Sequence, residues 1–429
     1  MWLIGYRVTL WLLLPLVLLR LWWRGLREPG YRSQLGGRFG LYRDPPPSDD
    51  RPMIWLHAVS LGETRAAEPL VKALATRFPE YRMVITHMTA TGRDTARQLF
   101  AGFPQVELAW LPYDYPFAMR NFLARFRPRV GILMETEVWP NLVEACEAKG
   151  VPLLLANARM SEKSARSYGV VAPLSRKAFA RLTAISVQTQ DDADRLFALG
   201  ARREVTEITG NLKFDVAVPG QTGARPDFLR ERTGNRPVFL AASTRDGEEQ
   251  LLLDAIGRGV AWPTNALVLL VPRHPQRFND VAAILEKQSL RYVRRSDNLP
   301  VPADCRFLLG DSLGEMAAYY AVADCAFVGG SLLPLGGQNL IEACAMGVPV
   351  LVGPHTFNFA QAAAEAVAAG AALRVGNADE LVIEAGRLLG DTVKRDAMKQ
   401  AGIAFCNRHR GATDRILAIC ERLLAERAA

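Results

Sequence analysis

The run FVGGSLLPLGGQNLIEACAMGVPVLVGPHTFNF, Phe327 to Phe359, decides how this chain is read. A hydrophobic strand, Cys325 to Val328, breaks into a turn carrying Gly329, Gly330, Gly336 and Gly337. A helix is expected to begin near Gln338 and Asn339, and a second strand follows at Pro349 to Val352. Glycines let the backbone turn tightly and bring its N–H groups against a ligand. A helix start behind such a turn adds unpaired donors and the positive end of a dipole, which together favour an anion. Glu342, one turn in, is placed to accept hydrogen bonds from a sugar hydroxyl. Alone, the run fits equally well an ordinary glycine-rich loop of a parallel-sheet protein.

The same strand-then-helix rhythm runs outward from it in both directions. After a linker at Asp44 to Pro52, strands are expected at Met53–His57, Met83–His87, Glu107–Leu111, Val130–Met134, Leu153–Ala156 and Ala184–Gln188, with helices such as Thr64–Arg77 and Trp139–Lys149 between them. A polar, Pro/Gly-rich stretch at Val216 to Pro226 marks a second linker. The pattern then restarts with strands at Val238–Ala241, Ala266–Val271, Arg306–Leu309, Cys325–Val328 and Pro349–Val352, and closes on an amphipathic helix from Ala412 to Ala428. Such alternation predicts an α/β protein of two doubly wound Rossmann-like domains facing a central cleft. The boundaries expected are an anchor at 1–27, a first domain at 28–217 and a second at 218–429, whose last helix is able to pack back on the first domain.

Bulk numbers agree with two globular domains of about 200 residues each. The chain has 429 residues, 49% hydrophobic and 22% charged, and a net charge of +8 that points to anionic partners. Its basic residues are mostly Arg, no Lys/Arg block forms a nucleic-acid arm, and no nucleic-acid-binding motif stands out, so nucleic acid is not an expected partner. Six scattered cysteines without a CxxC pair read as reduced, buried small side chains, and five histidines show no HExxH or HxH spacing. No metal and no cofactor are expected.

Residues 2 to 23, WLIGYRVTLWLLLPLVLLRLWW, are the most apolar of the sequence. Their charge-free part, Val8 to Leu19, would span only about 18 Å as a helix against roughly 30 Å of hydrocarbon, so a full crossing needs both flanks with Arg7 and Arg20 snorkelling. No small-x-small cleavage site follows, which favours an uncleaved anchor or monotopic insertion over a signal peptide. Tryptophans at the ends suit the interface, and the excess of arginines after the apolar run places the bulk of the protein on the cytoplasmic side.

Polar clusters recur just after the expected strands. HAVSLGET, His57 to Thr64, puts Ser60, Gly62 and Glu63 at a strand's carboxyl edge, where a glutamate can serve as general base or simply complement a helix N-terminus. LMETEVWPN carries Glu135 and Glu137, which can bind hydroxyls, tune Glu63 or be surface charges. NARMSEKS places Arg159 and Lys163 for an anionic ligand. GNLKFD brings Lys213, AASTRDGEE brings Ser243, Thr244 and Arg245, and VPRHPQRF brings Arg273 and His274. Asp192-Ala193-Asp194 spells the DxD of metal-dependent sugar transferases, yet its place in a first helical turn reads as dipole complementation. No GxxxxGK[ST] loop is present, and no GxGxxG follows the first strand.

Taken in order, HAVSLGE, METEVWPN, NARMSEKS, GNLKFD, STRDGEE, VPRHPQRF, GDSLGEM and FVGGSLLPLGGQNLIEAC resemble the bacterial 3-deoxy-D-manno-octulosonic acid (Kdo) transferases over essentially the whole chain, the segment LGGRFG included. The resemblance implies a GT-B glycosyltransferase fold and an inverting, metal-independent transfer of Kdo. Its donor would be CMP-Kdo, its acceptor a tetraacylated lipid A precursor (lipid IVA), and its place the cytoplasmic leaflet of the inner membrane. It implies that Glu63 is the catalytic base. The acceptor half would be lined by Ser60, Gly62, Glu135, Glu137, Arg159 and Lys163. The nucleotide-sugar would be bound by Lys213, Ser243, Thr244, Arg273, His274, Gly336, Gly337, Gln338, Asn339 and Glu342. Two other classes fit parts of the sequence. A nucleotide-sugar epimerase shares the glycine-rich turn but needs no anchor, and a membrane scaffold leaves the polar clusters without a purpose.

Overall fold

A computed structural model describes residues 2–32, 34–42, 49–215, 227–258 and 262–426. The expected linker at Val216 to Pro226 lies outside the described residues, as does most of the one at Asp44 to Pro52. Contacts divide the chain into two units, Met1–Val216 with Arg410–Ala429, and Ala217–His409.

The first unit is built on seven strands: β1 (Met53–His57), β2 (Arg82–His87), β3 (Val106–Trp110), β4 (Pro128–Met134), β5 (Leu153–Ala158), β6 (Ala184–Val187) and β7 (Thr206–Ile208). All pairings are parallel, in the order β3-β2-β1-β4-β5-β6-β7. Every residue of β1 is buried, because a parallel sheet is covered on both faces and its strands read as unbroken apolar runs. The period of two still sorts side chains by layer. Trp55 packs with Phe122, Leu142 and Phe179 on one face, and Ile54 and Leu56 pack with Leu70, Leu74 and Met83 on the other. That second layer includes Ile416, Ile419, Cys420, Leu423 and Leu424 from the closing helix, Ala412–Glu426. Asp215 fixes the helix start by accepting from the N–H groups of Gly411 and Thr413 at 2.8 and 2.6 Å.

The second unit repeats the plan with β8 (Val238–Thr244), β9 (Leu267–Pro272), β10 (Tyr292–Arg294), β11 (Phe307–Leu309), β12 (Cys325–Val328), β13 (Val350–Val352) and β14 (Ala372–Arg374). These are again all parallel, ordered β10-β11-β9-β8-β12-β13-β14.

Three edge strands, β7, β10 and β14, escape the sequence reading. Each has three residues and is at least partly open to solvent, so none carries a continuous apolar run. The helix expected at Gln338–Asn339 starts instead at Ile341 and has only five residues, Ile341–Ala345. Two bonds explain the delay. The Gln338 N–H is taken by the Gly329 carbonyl at 3.0 Å, and the Asn339 side chain accepts from the Ile341 N–H at 3.1 Å. Glu342 therefore stands in the first turn of a short helix, whose dipole is correspondingly small.

Candidate active site

In each sheet the strand order reverses beside the first strand, between β1 and β4 in one unit and between β8 and β12 in the other. Chains leaving two such strands turn to opposite faces, so the gap at their carboxyl ends is where an open α/β sheet receives ligands. Both gaps hold clusters singled out in the sequence.

In the first unit Ser60 caps the helix Leu61–Arg77. Its Oγ accepts from the Glu63 N–H at 3.4 Å and donates to Glu63 Oε1 at 3.3 Å, while the Val59 N–H donates to Glu63 Oε2 at 2.8 Å. This is a reciprocal capping arrangement. It does more than complement a dipole, because it fixes the carboxylate rotamer. Burial pushes the Glu63 carboxyl up to about 8, with the negative charge of Glu135 next in importance and that of Glu137 behind it; the Val59 N–H bond works against them. Glu135, directly after β4, has a left-handed backbone at φ 55, strained for a residue with a side chain. The Trp139 indole N–H donates to Glu137 Oε2 at 3.0 Å, and burial raises Glu137 above the usual carboxylate range. Below them His57 and His87 are buried and held neutral, pushed down by burial to about 3 and about 4.

Lys213, assigned by resemblance to the nucleotide, stands in the first unit with its Nζ 3.8 Å from Glu135 Oε1. It supplies counter-charge to the acidic group. Arg159 follows β5 and is half-buried. Lys163 is exposed on the helix Glu162–Val170, and among the described residues no hydrogen bond or ion pair joins it to the carboxylates. Gly62 is exposed, and a Cβ there would meet only Ser60 Oγ at 3.8 Å, so the fold itself does not demand glycine. Asp192 accepts from the Met160 N–H at 2.8 Å and from Thr189 Oγ at 2.7 Å, and is buried. Asp192 thus supports the Thr189 cap of the helix Gln190–Ala198 and ties it to a neighbouring loop, while Asp194 accepts from the Gln190 side-chain amide at 2.9 Å.

The gap in the second unit is made of backbone and cations. Ser243 sits at a register shift of β8 with φ 54, a bulge that re-aims the end of the strand. Gly329 passes so close behind it that a Cβ would meet the Ser243 carbonyl at 2.5 Å. The loop closes on itself: the Gly337 N–H donates to the Gly330 carbonyl at 2.6 Å and the Asn358 N–H to that of Gly336 at 2.9 Å. The N–H groups of Gly337 and Gln338, expected to face a ligand, are therefore spent inside the loop. The expectation fails because a turn that doubles back must satisfy its own donors.

What holds this loop is Glu248, 1% exposed, which accepts from the N–H groups of Gly330 at 2.6 Å, Leu332 at 3.0 Å and Arg245 at 2.9 Å. Its neighbour Glu249 is fully buried, accepts from Thr244 Oγ1 at 2.7 Å and pairs with Arg277 at 3.2 Å. Both lie in the quoted AASTRDGEE, but nothing in their spacing says that one grips a loop about eighty residues away (|i−j| of 82 and 84). Arg273 Nε donates to the Gln338 side chain at 3.2 Å. His274 is pushed below its ordinary value, first by burial and then by the charges of Arg245, Arg273 and Arg277. Four cationic or potentially cationic side chains thus surround one end of β8 and β9, a composition suited to phosphate.

Comparison with known proteins agrees with this chemistry. Residues 33–216 match the family described as 3-Deoxy-D-manno-octulosonic-acid transferase (kdotransferase), and residues 268–405 match glycosyl transferases group 1. A 3-deoxy-D-manno-octulosonic acid transferase of Bordetella pertussis is 47% identical over 96% of this chain and 97% of its own length. One from Haemophilus influenzae is 36% identical over 97% of both. Among solved structures, a putative UDP-N-acetylglucosamine 2-epimerase from Listeria monocytogenes has a TM-score of 0.59 at 19% identity, covering 86% of this chain and 95% of that one. A glycosyltransferase from Rickettsia africae has a TM-score of 0.57 at 13% identity, with 87% and 99% covered. At these identities the structural likeness speaks for the fold alone. The relatives, matched almost end to end, speak for more: on a GT-B fold whose sheets carry the two gaps described above, this chain belongs to the 3-deoxy-D-manno-octulosonic acid transferases, glycosyltransferases of lipopolysaccharide biosynthesis.

Proposed function

We propose that the protein moves Kdo from CMP-Kdo to a glucosamine hydroxyl of a tetraacylated lipid A precursor (lipid IVA), with inversion and without a metal, at the cytoplasmic face of the bacterial inner membrane. The observation that carries the reading is Glu63. Its carboxylate is fixed by Val59 and Ser60 at the reversal point of the first sheet, with a pKa raised to about 8. A general base works best when its pKa lies near the operating pH. Glu63 takes the acceptor's hydroxyl proton as the oxygen attacks the anomeric carbon, the bond to the CMP phosphate breaks, and CMP departs with the bonding electrons. Attack opposite the leaving group inverts the centre. CMP is already a competent leaving group, so no acid is needed, and the charge on its phosphate is met by Arg245, Arg273 and the flanking side chains. Ser243, Thr244, His274, Gly336 and Asn339 belong to the same donor site, with Glu342 as partner for a ribose hydroxyl. In the first unit, Glu135, Glu137, Arg159 and Lys213 line the acceptor side. Metal independence rests on these cations and on the commitment of Asp192 to structural bonds.

The test is product analysis by mass spectrometry after incubating purified protein with CMP-Kdo and lipid IVA. Addition of Kdo with release of CMP, unchanged by EDTA, is the expected result. An absent product, or one whose formation EDTA stops and magnesium restores, overturns the substrate or the metal assignment respectively.

A further inference from the structure

The N-terminal helix, Trp2–Arg27, would be about 39 Å long at 1.5 Å per residue, enough to cross a bilayer. Its burial pattern shows something else. Leu21 and Gly25 are buried and Leu3, Tyr6, Leu10, Leu14 and Val17 are partly covered, joined by Arg7, and these positions recur every three or four residues from one end of the helix to the other. Ile4, Val8, Leu12, Leu16, Leu19 and Trp23 form the opposite stripe at the same spacing, each half or more exposed. The helix is therefore laid lengthwise on the first unit.

Polar bonds fasten its first third. Tyr6 OH donates to Asp114 Oδ2 at 2.9 Å, Arg7 Nε donates to Asn141 Oδ1 at 2.8 Å and its guanidinium pairs with Glu144, and Tyr115 OH donates to the Leu10 carbonyl at 2.8 Å. Asp114 is 6% exposed and also receives the N–H groups of Asn141 and Leu142, so lifting the helix would strip a partner from a buried carboxylate. At the other end Leu21 is buried with Tyr31, Ala90 and Trp110, with Val17 packed against them. The residues gripping the two ends, Asp114, Asn141, Ala90 and Trp110, all lie at the carboxyl edge of the first sheet, which is also the edge that carries Glu63. A helix whose ends are held by one edge of one soluble sheet cannot place those ends on opposite sides of a bilayer.

We propose that this helix lies in the plane of an anionic phospholipid surface, clamped along its length to the first unit, with the Ile4-to-Trp23 stripe sunk among the acyl chains. Charge supports that occupant: Arg20 and Arg24 are exposed on the helix, and the whole chain is +8. The proposal rests on the membrane reading above and deepens it, since it brings the carboxyl edge bearing Glu63 to headgroup level.

The test uses the full chain expressed in a bacterial inner membrane, with Trp2→Cys or Leu12→Cys as single exposed labelling sites. All six native cysteines are buried and silent. A membrane-impermeant maleimide is expected to label Trp2→Cys in inverted vesicles and not in spheroplasts, and to miss Leu12→Cys in both until detergent is added. Labelling of Trp2→Cys from the spheroplast side shows a crossing and overturns the in-plane helix while leaving membrane association intact. Labelling of Leu12→Cys without detergent overturns the buried stripe. Recovery of the protein as a soluble dimer with Leu12→Cys protected makes the occupant a second copy and overturns the membrane reading itself.

Discussion

Both sheets reverse their order beside their first strand, yet one gap collects carboxylates and the other guanidinium groups. In the first, Glu63 and Glu137 are crowded against Glu135 and partly desolvated, so that ionising either of them is resisted by burial and by the charge of Glu135. In the second, the acidic residues Glu248 and Glu249 are buried as acceptors for backbone and for Arg277, and Arg245, Arg273 and His274 stay at least partly exposed. The same scaffold thus gathers carboxylates in one unit and cations in the other. The difference lies in which sign of charge is left facing the gap.

The sharpest way to break this contrast is Glu63→Gln, which keeps the size and loses the base. Turnover is expected to fall by about 10²–10⁴-fold, the range for a positioned general base, while CMP binding by calorimetry is unchanged. Equal losses in both would move Glu63 from chemistry to folding.

Glu248→Ala tests the opposite role. It leaves two buried N–H groups and one partly buried one without an acceptor, at about 1–3 kcal/mol for each buried group in the worst case. A lower urea midpoint together with weakened CMP binding is expected. Loss of stability with undiminished CMP affinity would detach the glycine loop from the donor site. Arg273→Ala should be milder in stability and cost CMP roughly 10–100-fold in affinity, the value of a charge-assisted bond of about 1.5–3 kcal/mol.

A smaller effect concerns pH. Because the Glu63 carboxyl sits at about 8, kcat/KM should climb as pH rises through that value. Glu135→Gln removes its main like charge and should shift the climb to lower pH. A shift upward, or none, would show that Glu135 does not act on Glu63. The sign for stability is opposite. A carboxyl raised in the folded state contributes stability that is complete below its ordinary value near 4.5 and is lost as pH rises through about 8.

How far the sequence was legible differs between layers and edges. Central strands announce themselves because both faces are buried, and β1 and β12 fall where the apolar runs place them. The three-residue edge strands do not, since a half-wet strand needs no apolar run. At the strand ends, Glu63 and Arg273 stand where the local strand-turn-helix order puts them. Strand-end position could not find the grip of Glu248 on Gly330 and Leu332, which depends on how β8 and β12 come to lie side by side. Nor could it see that Gln338 and Gly337 would turn their donors inward, because that follows from the shape of the loop and not from its composition.

The closing helix Ala412–Glu426 carries a consequence for synthesis. Its buried side chains complete the first unit, although the whole of the second unit is translated before it. A ribosome making this chain delivers the strands of the first unit before the second unit and this stave of the first unit after it. The first unit must therefore wait, open along the helix Leu61–Arg77, until the second has been made.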